Sequence, residues 1–337
     1  MPRKFLIIRR KGKLKMKSHS VLQLQYTLGE KVAIKEYPIR NLDAVLIIGR
    51  ELYLESSVLS VLASMNVPVS IIAKDSVSIL INPIITISSK YRIQQYCLDK
   101  KQSLDIAKEY LKAKILGMAN ILKYHRKSLI KLPEPPLSNE DPELYELNLR
   151  SWEAYISNKL WDNLQTIMKE NILQELRKKY NFRGRKPRHP DPFNKTLSVM
   201  YAVLYSLSTK ALIAAGLDPT YGFLHRTRYS TPLTFDYTEM FKPIAIQATI
   251  ELVNKNGLPE LSSDGELTRE SVNNAIKMLY DYLTLTHRIT GKTPYQQIYL
   301  KAFCLAKHLE GRCGRRNLVV TWDRAQYRMR KRNPEPL

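Results

Sequence analysis

Residues 92–131 read RIQQYCLDKKQSLDIAKEYLKAKILGMANILKYHRKSLIK. Ala107, Tyr110, Leu111, Ala113, Ile115, Met118 and Leu122 recur at three- and four-residue steps, the period of one helical face. Toward the N-terminus the period changes. Lys4–Arg9, Val21–Tyr26, Lys31–Glu36 and Ala44–Ile48 are short runs rich in Ile, Val and Leu, with Gly12, Gly29 and Asn41 as turn material between some of them. Residues 55–65, ESSVLSVLASM, place Val58, Leu59, Leu62 and Met65 on one helical face; Val67–Ile72 and Ser76–Ile81 then return to strand. Toward the C-terminus, residues 132–143, LPEPPLSNEDPE, form a Pro- and acid-rich loop. Helical pattern resumes over Leu147–Tyr180, pauses in the basic loop 181–193, NFRGRKPRHPDPF, and continues over Asn194–Ala215, with Gly216 at its end. Further helices are expected over Asp236–Asn256, Glu270–Thr286 and Pro294–Leu309, the last with Thr293 as N-cap and Pro294 at its first position. The expected fold class is therefore α+β. A small N-terminal β-rich domain over 1–90 precedes a larger all-α domain over 91–337 that ends in a basic tail. A chain of 337 residues suits two domains, since one usually takes ~100–200 residues.

Lys and Arg number 54 against 31 Asp and Glu, a formal net charge of +23. Such an excess steers and holds polyanions, so nucleic acid is the expected partner. Three basic segments concentrate it. Residues 3–17 carry eight Lys/Arg and no acid, residues 177–188 carry seven, and residues 312–332 carry eight against Asp323. Any one of them read alone is also what a solvated face or a tail looks like. The three cysteines, Cys97, Cys304 and Cys313, include no CxxC pair, which argues against a disulfide framework or a structural zinc site. The most apolar region, Val58–Ile87, is broken by Pro68, Lys74, Asp75 and Pro83. No membrane span and no signal peptide are expected, and the expected location is cytoplasmic.

No P-loop, HExxH, GxSxG or strand-linked GxGxxG motif is present, which removes the common nucleotide-hydrolase, zinc-protease and serine-hydrolase readings. The region densest in chemistry is 216–243, GLDPTYGFLHRTRYSTPLTFDYTEMFKP. On a helix, Asp236 and Glu239 would share a face with their i, i+3 spacing. Acids at a helix start also simply complement its dipole, and a lone His225 is more often structural than a ligand. Glu153, in SWEAYISNKLW, is either a surface acid or a carboxylate set among Trp152 and Leu160. In the second case it needs a compensating cation.

In order along the chain, several pieces resemble the CRISPR-associated adaptation nuclease/integrase family, the first of the numbered Cas proteins. Pro38-Ile39, Leu46-Ile47-Ile48-Gly49, Leu59 and Val67-Pro68-Val69 are similar to its β-domain. Arg92-Ile-Gln-Gln95-Tyr96 resembles the entry to its helical domain, and Arg150-Ser-Trp-Glu153-Ala the helix with its first metal ligand. Asp191-Pro192-Phe-Asn194 looks like a family signature. Gly222-Phe-Leu-His225 and Asp236-Tyr-Thr-Glu239-Met-Phe-Lys-Pro243 form the nearest match. Ala154, Gly117 and Lys242 stand where the family often has Gly, Asn and Arg; none removes a ligand.

The resemblance implies that Glu153, His225 and Glu239 hold a divalent ion. Asp236 beside them is either a further ligand or the group that orients His225 or a water. Two carboxylates and an imidazole suit Mn²⁺ or Mg²⁺. It implies insertion of short DNA fragments into a CRISPR array by 3′-OH attack on a phosphodiester, with DNA cleavage as the companion reaction. The DNA would be double-stranded, branched or carry 3′ overhangs, and Arg183, Arg185, Lys186, Arg188, Arg226 and Arg228 would hold its backbone. Tyr221, Phe223 or Tyr229 would stack on bases, or pack. A homodimer through the β-domain and a small ferredoxin-like adaptation protein are the implied partners. The alternative is a basic architectural DNA- or RNA-binding protein without catalysis.

Overall fold

The computed structural model describes residues 4–9, 11–28, 31–48, 51–65, 67–72, 77–80, 89–125, 131–138, 141–225 and 230–329. The N-terminal elements are β1 (Lys4–Ile8), β2 (Gly12–Ser18), β3 (Val21–Leu28), β4 (Lys31–Pro38), β5 (Leu42–Ile48), β6 (Leu52–Leu54), α1 (Ser56–Ser64), β7 (Val69–Ile72) and β8 (Val77–Leu80). They form two four-stranded sheets. One runs β1-β5-β7-β8, parallel except for the last pair; the other runs β4-β3-β2-β6. Strands β2 and β6 lie where basic or short sequence hid them.

Leu42 to Ile47 of β5 are all buried, as a strand covered on both faces requires. Val45 and Ile47 join Leu6, Ile8, Leu14, Leu22 and Leu24 between the sheets. Ala44 and Leu46 point the other way, into the core of the helical region. That face is anchored by polar groups as well. Asp43 is buried, 3.5 Å from the Lys210 ammonium, and accepts a 2.7 Å hydrogen bond from Tyr295.

Ten helices are described in all. Those after α1 are α2 (Lys90–Tyr96), α3 (Lys100–Tyr124), α4 (Pro142–Leu164), α5 (Glu170–Tyr180), α6 (Pro192–Ala214), α7 (Pro232–Thr238), α8 (Lys242–Asn256), α9 (Arg269–Leu283) and α10 (Pro294–Leu309). Three expected helices are each divided. The 92–131 pattern breaks before Asp99, whose carboxylate caps α3 in a capping box with Gln102; residues 126–130 lie outside the described residues. The 147–180 pattern begins earlier, at Pro142 capped by Asp141, and breaks at a 3₁₀ turn over Gln165–Ile167. The 236–256 pattern becomes α7, a 3₁₀ turn over Glu239–Phe241, and α8. Pro243 has no N–H to continue the preceding helix, which fits a break at this point. Thr293 and Pro294 open α10 as expected.

Helix α6 is the central rod, buried along most of its length. It is long and apolar enough to cross a membrane by composition, but that surface is covered by the other helices and by β5 and β7. The helical region is not purely α: β9 (Thr286–His287) pairs antiparallel with β10 (Tyr327–Arg328). The expected basic tail is largely a strap. Leu318, Trp322 and Tyr327 are buried in the helical core, and Trp322 donates a 2.7 Å hydrogen bond to Gln247. Cys304 and Cys313 are joined by a disulfide, against the sequence expectation. The turn at Gly311 (φ +75°) brings their Cα atoms to 6.0 Å, a proximity that their spacing alone does not announce.

Candidate active site

The site lies where α3, α4, α6 and the α7–α8 segment meet. Glu153 comes from α4, and Glu239 opens the 3₁₀ turn after α7. Lys114, on α3, joins them: its Nζ is 2.5 Å from Glu153 Oε1 and 2.9 Å from Glu239 Oε2. Lys242 Nζ reaches Glu239 Oε1 at 2.5 Å, and Ser157 Oγ donates to Glu153 Oε1 at 2.7 Å. Glu239 Oε2 is buried and lies outside hydrogen-bonding geometry with Lys114. Burial disfavours the charge on Glu239, but Lys114 and Lys242 outweigh it and hold the carboxyl at about 2. Burial likewise opposes the charge on Glu153, and Lys114 brings its pKa below the ordinary value. Both ammonium groups are held above the usual lysine range by Glu239, against their own desolvation.

His225 and Asp236 form a second cluster, held by α7 and the segment before it. Asp236, on α7, is 2% exposed and spends its carboxylate on the 223–225 segment. Its Oδ2 accepts from the Phe223 N–H at 2.7 Å and the Leu224 N–H at 2.9 Å; its Oδ1 accepts from the His225 N–H at 3.3 Å and lies 2.5 Å from His225 Nδ1. Arg150 on α4 donates to the Leu224 carbonyl at 2.6 Å, tying the same segment to the helix of Glu153. Gly222 is required by close approach, since a Cβ there would lie 2.6 Å from Pro232 and 2.8 Å from the His225 carbonyl oxygen.

The basic loop is adjacent. Asn181, Arg183, Gly184, Arg185, Lys186 and His189 line a cavity of about 390 Å³. Buried Asn194 shapes it: its Oδ1 accepts from Arg185 and from the Lys186 N–H at 3.0 Å each, and its Nδ2 donates to the Gly184 carbonyl. Asp191 caps α6 by accepting from the Asn194 N–H at 2.8 Å. Here Asp191-Pro192-Phe-Asn194 has a structural reason. The Arg185 guanidinium and the Lys242 ammonium both lie 5.4 Å from the Tyr201 ring centroid, so one tyrosine links loop and acid pair. Arg183, Lys186 and Arg188 are exposed. Arg226, Arg228 and Tyr229 fall outside the described residues. Phe223 is buried and Tyr221 packs edge-on against Tyr96, so both pack.

Lys114 was missed in the sequence. The available signal was a lysine between Tyr110, Leu111, Gly117 and Met118 on the buried face of α3. Gly117 lets that face approach α8: a Cβ there would lie 2.7 Å from the Pro243 ring.

Among the described residues, no three His, Cys, Asp or Glu groups are gathered as a finished metal site. The donor chemistry nevertheless fits a hard divalent ion. Two carboxylates from different helices share one cation, one of their oxygens is buried without a hydrogen bond, and the imidazole of His225, in the separate Asp236 cluster, is oriented by an acid.

Fold and site together define a protein with paired sheets, a helical region built on one buried rod, and an acid–lysine cluster beside an arginine-rich loop. The sequence pattern of the family described as CRISPR associated protein Cas1 matches residues 6–272, and the chain belongs to this family. The CRISPR-associated endonuclease Cas1 of Hyperthermus butylicus is 36% identical over 175 residues, 46% of this chain and 49% of that protein. The chain spans about half the length, or less, of the first curated relatives it matches. A Cas1 protein from Thermotoga maritima shares the fold with a TM-score of 0.75 at 20% identity, over 91% of this chain and 97% of that one. A casposase bound to an integration product does so with a TM-score of 0.74 at 18% identity, over 98% and 96%.

Proposed function

We propose that this chain is a divalent-metal-dependent DNA endonuclease and integrase of CRISPR adaptation. The observation that carries the reading is the meeting of Glu153 and Glu239 at one cation while Asp236 fixes the ring of His225. Family membership and a relative named as an endonuclease support the class of reaction. The casposase neighbour, bound to an integration product, supports strand transfer through its fold.

In strand transfer, the 3′-oxygen of a DNA fragment forms a new bond to a target phosphorus. The bond from that phosphorus to the target's own 3′-oxygen breaks; the proton of the attacking hydroxyl passes to solvent, and the departing 3′-oxygen takes one up from solvent. With water as attacker the same exchange cuts DNA, so the chain need supply no nucleophile. Glu153, Glu239 and His225 would hold Mn²⁺ or Mg²⁺. When bound, the ion polarises the phosphate and favours ionisation of the attacking hydroxyl. Asp236 engages Nδ1 of His225, which leaves Nε2 as the nitrogen that would hold the ion. Arg183, Arg185, Lys186 and Arg188 hold backbone phosphates, giving affinity without sequence specificity; Arg226 and Arg228 belong to the same proposal. The exposed Val32 and Ile34 on edge strand β4 suit a second copy of the chain, and the family resemblance adds the small ferredoxin-like partner.

The test is strand transfer and cleavage of branched DNA by His225→Ala and Glu239→Ala, with EDTA and Mn²⁺ arms. Both variants are expected to bind DNA and to lose both reactions; EDTA should stop the wild type and Mn²⁺ restore it. Full activity in the variants, or turnover in EDTA, would refute the site and leave the architectural alternative.

A further inference from the structure

We infer that Lys114 is a built-in counter-cation that competes with the divalent ion for the Glu153–Glu239 pair. The inference rests on the metal-site reading above and adds a role for a residue outside the ligand set. Lys114 reaches both carboxylates, whereas Lys242 reaches Glu239 alone. The Lys114 side chain is 13% exposed and that of Glu239 is 7% exposed, so water supplies little alternative solvation. Two carboxylates that face one ammonium, one of them nearly dry and the other partly exposed, repel each other and need a positive charge. A divalent ion and an ammonium meet the same need, and both cannot take the same oxygens. Lys114 therefore supports the metal-free fold and weakens the first metal-binding step by repulsion and by occupancy. Removal of Lys114 should make the fold depend on metal and make metal binding tighter.

The experiment uses the full chain and Mn²⁺ alone, read by calorimetric titration and by thermal melting in EDTA and in Mn²⁺. Lys114→Gln keeps a hydrogen-bond donor without the charge; Lys114→Met removes both, and Lys242→Gln is the comparison. Coupling between two sites usually amounts to roughly 5- to 150-fold in affinity, and Lys114→Gln is expected to bind Mn²⁺ tighter by a factor in that range. Its melting temperature should fall in EDTA and rise on adding Mn²⁺ by more than that of wild type, with Lys242→Gln showing the smaller change. If Lys114→Met folds only with Mn²⁺ present, the inference is supported. A purely structural lysine would lower melting equally in both buffers and leave Mn²⁺ affinity unchanged, which overturns the inference alone. No Mn²⁺ binding in wild type or in any variant overturns the metal-site reading and the inference with it.

Discussion

Asp236 can be tested apart from catalysis. It is buried and accepts three backbone N–H groups as well as contacting His225 Nδ1. Asp236→Ala leaves those donors without an acceptor. A buried unsatisfied group costs at least ~1 kcal/mol, so three give ~3 kcal/mol, and the lost imidazole contact raises the total to about 5 kcal/mol. For a domain of this size each kcal/mol moves melting by roughly 2–4 °C, so a drop of roughly 10–20 °C is expected. Asp236→Asn divides the effects. Its remaining oxygen still serves Phe223 and Leu224, and its amide faces His225 Nδ1. That nitrogen must then accept, which moves the ring proton to Nε2, and an N–H cannot ligate a metal. Asp236→Asn should therefore melt closer to wild type than Asp236→Ala does, yet lose about 10- to 100-fold in Mn²⁺ affinity. Differential scanning calorimetry and Mn²⁺ titration measure the two effects. If Asp236→Ala melts at the wild-type temperature, the carboxylate is not the organiser of the 223–225 segment.

The acid limb of stability should carry a Glu239 component. Its folded pKa of about 2 lies below its ordinary value of 4.5, so its ionised form stabilises the fold above that value and the contribution is lost as pH falls from 4.5 toward 2. In EDTA, Glu239→Gln should be less stable at neutral pH and should converge with wild type near the bottom of that window; parallel curves would contradict this. Trp322→Ala should cost about 3–5 kcal/mol in urea unfolding, as for other buried aromatics, because the ring fills the helical core from the C-terminal strap. A change near zero would mean that the strap is not part of that core. Reversing the charge of Arg183, Arg185 and Lys186 should weaken DNA binding and flatten its salt dependence; an unchanged slope in a filter-binding titration would remove the loop from the interface.

Periodicity is a local property, and it determined much of this protein without any partner in view. The switch from short apolar runs to helical spacing near residue 90 is written in Ala107, Tyr110, Leu111 and their repeats, and α1, α6 and α10 follow their apolar faces closely. Charge is additive along the chain, so +23 pointed to a polyanion before any fold was known. As candidate ligands, Glu153, His225 and Glu239 rest on family resemblance, because each has an ordinary local explanation. The helix breaks at Asp99, Gln165–Ile167 and Pro243 depend on caps and backbone donors that a long apolar pattern obscures. Tertiary structure alone decided that Asp236 is the clamp of the His225 segment, that Trp322 belongs to the core, and that Cys304 meets Cys313. It alone placed Lys114 between two carboxylates 39 residues downstream on α4 and farther still beyond α7. Burial and through-space charge set the behaviour of that cluster. Both arise from neighbours distant in the chain, which a one-dimensional reading does not bring together.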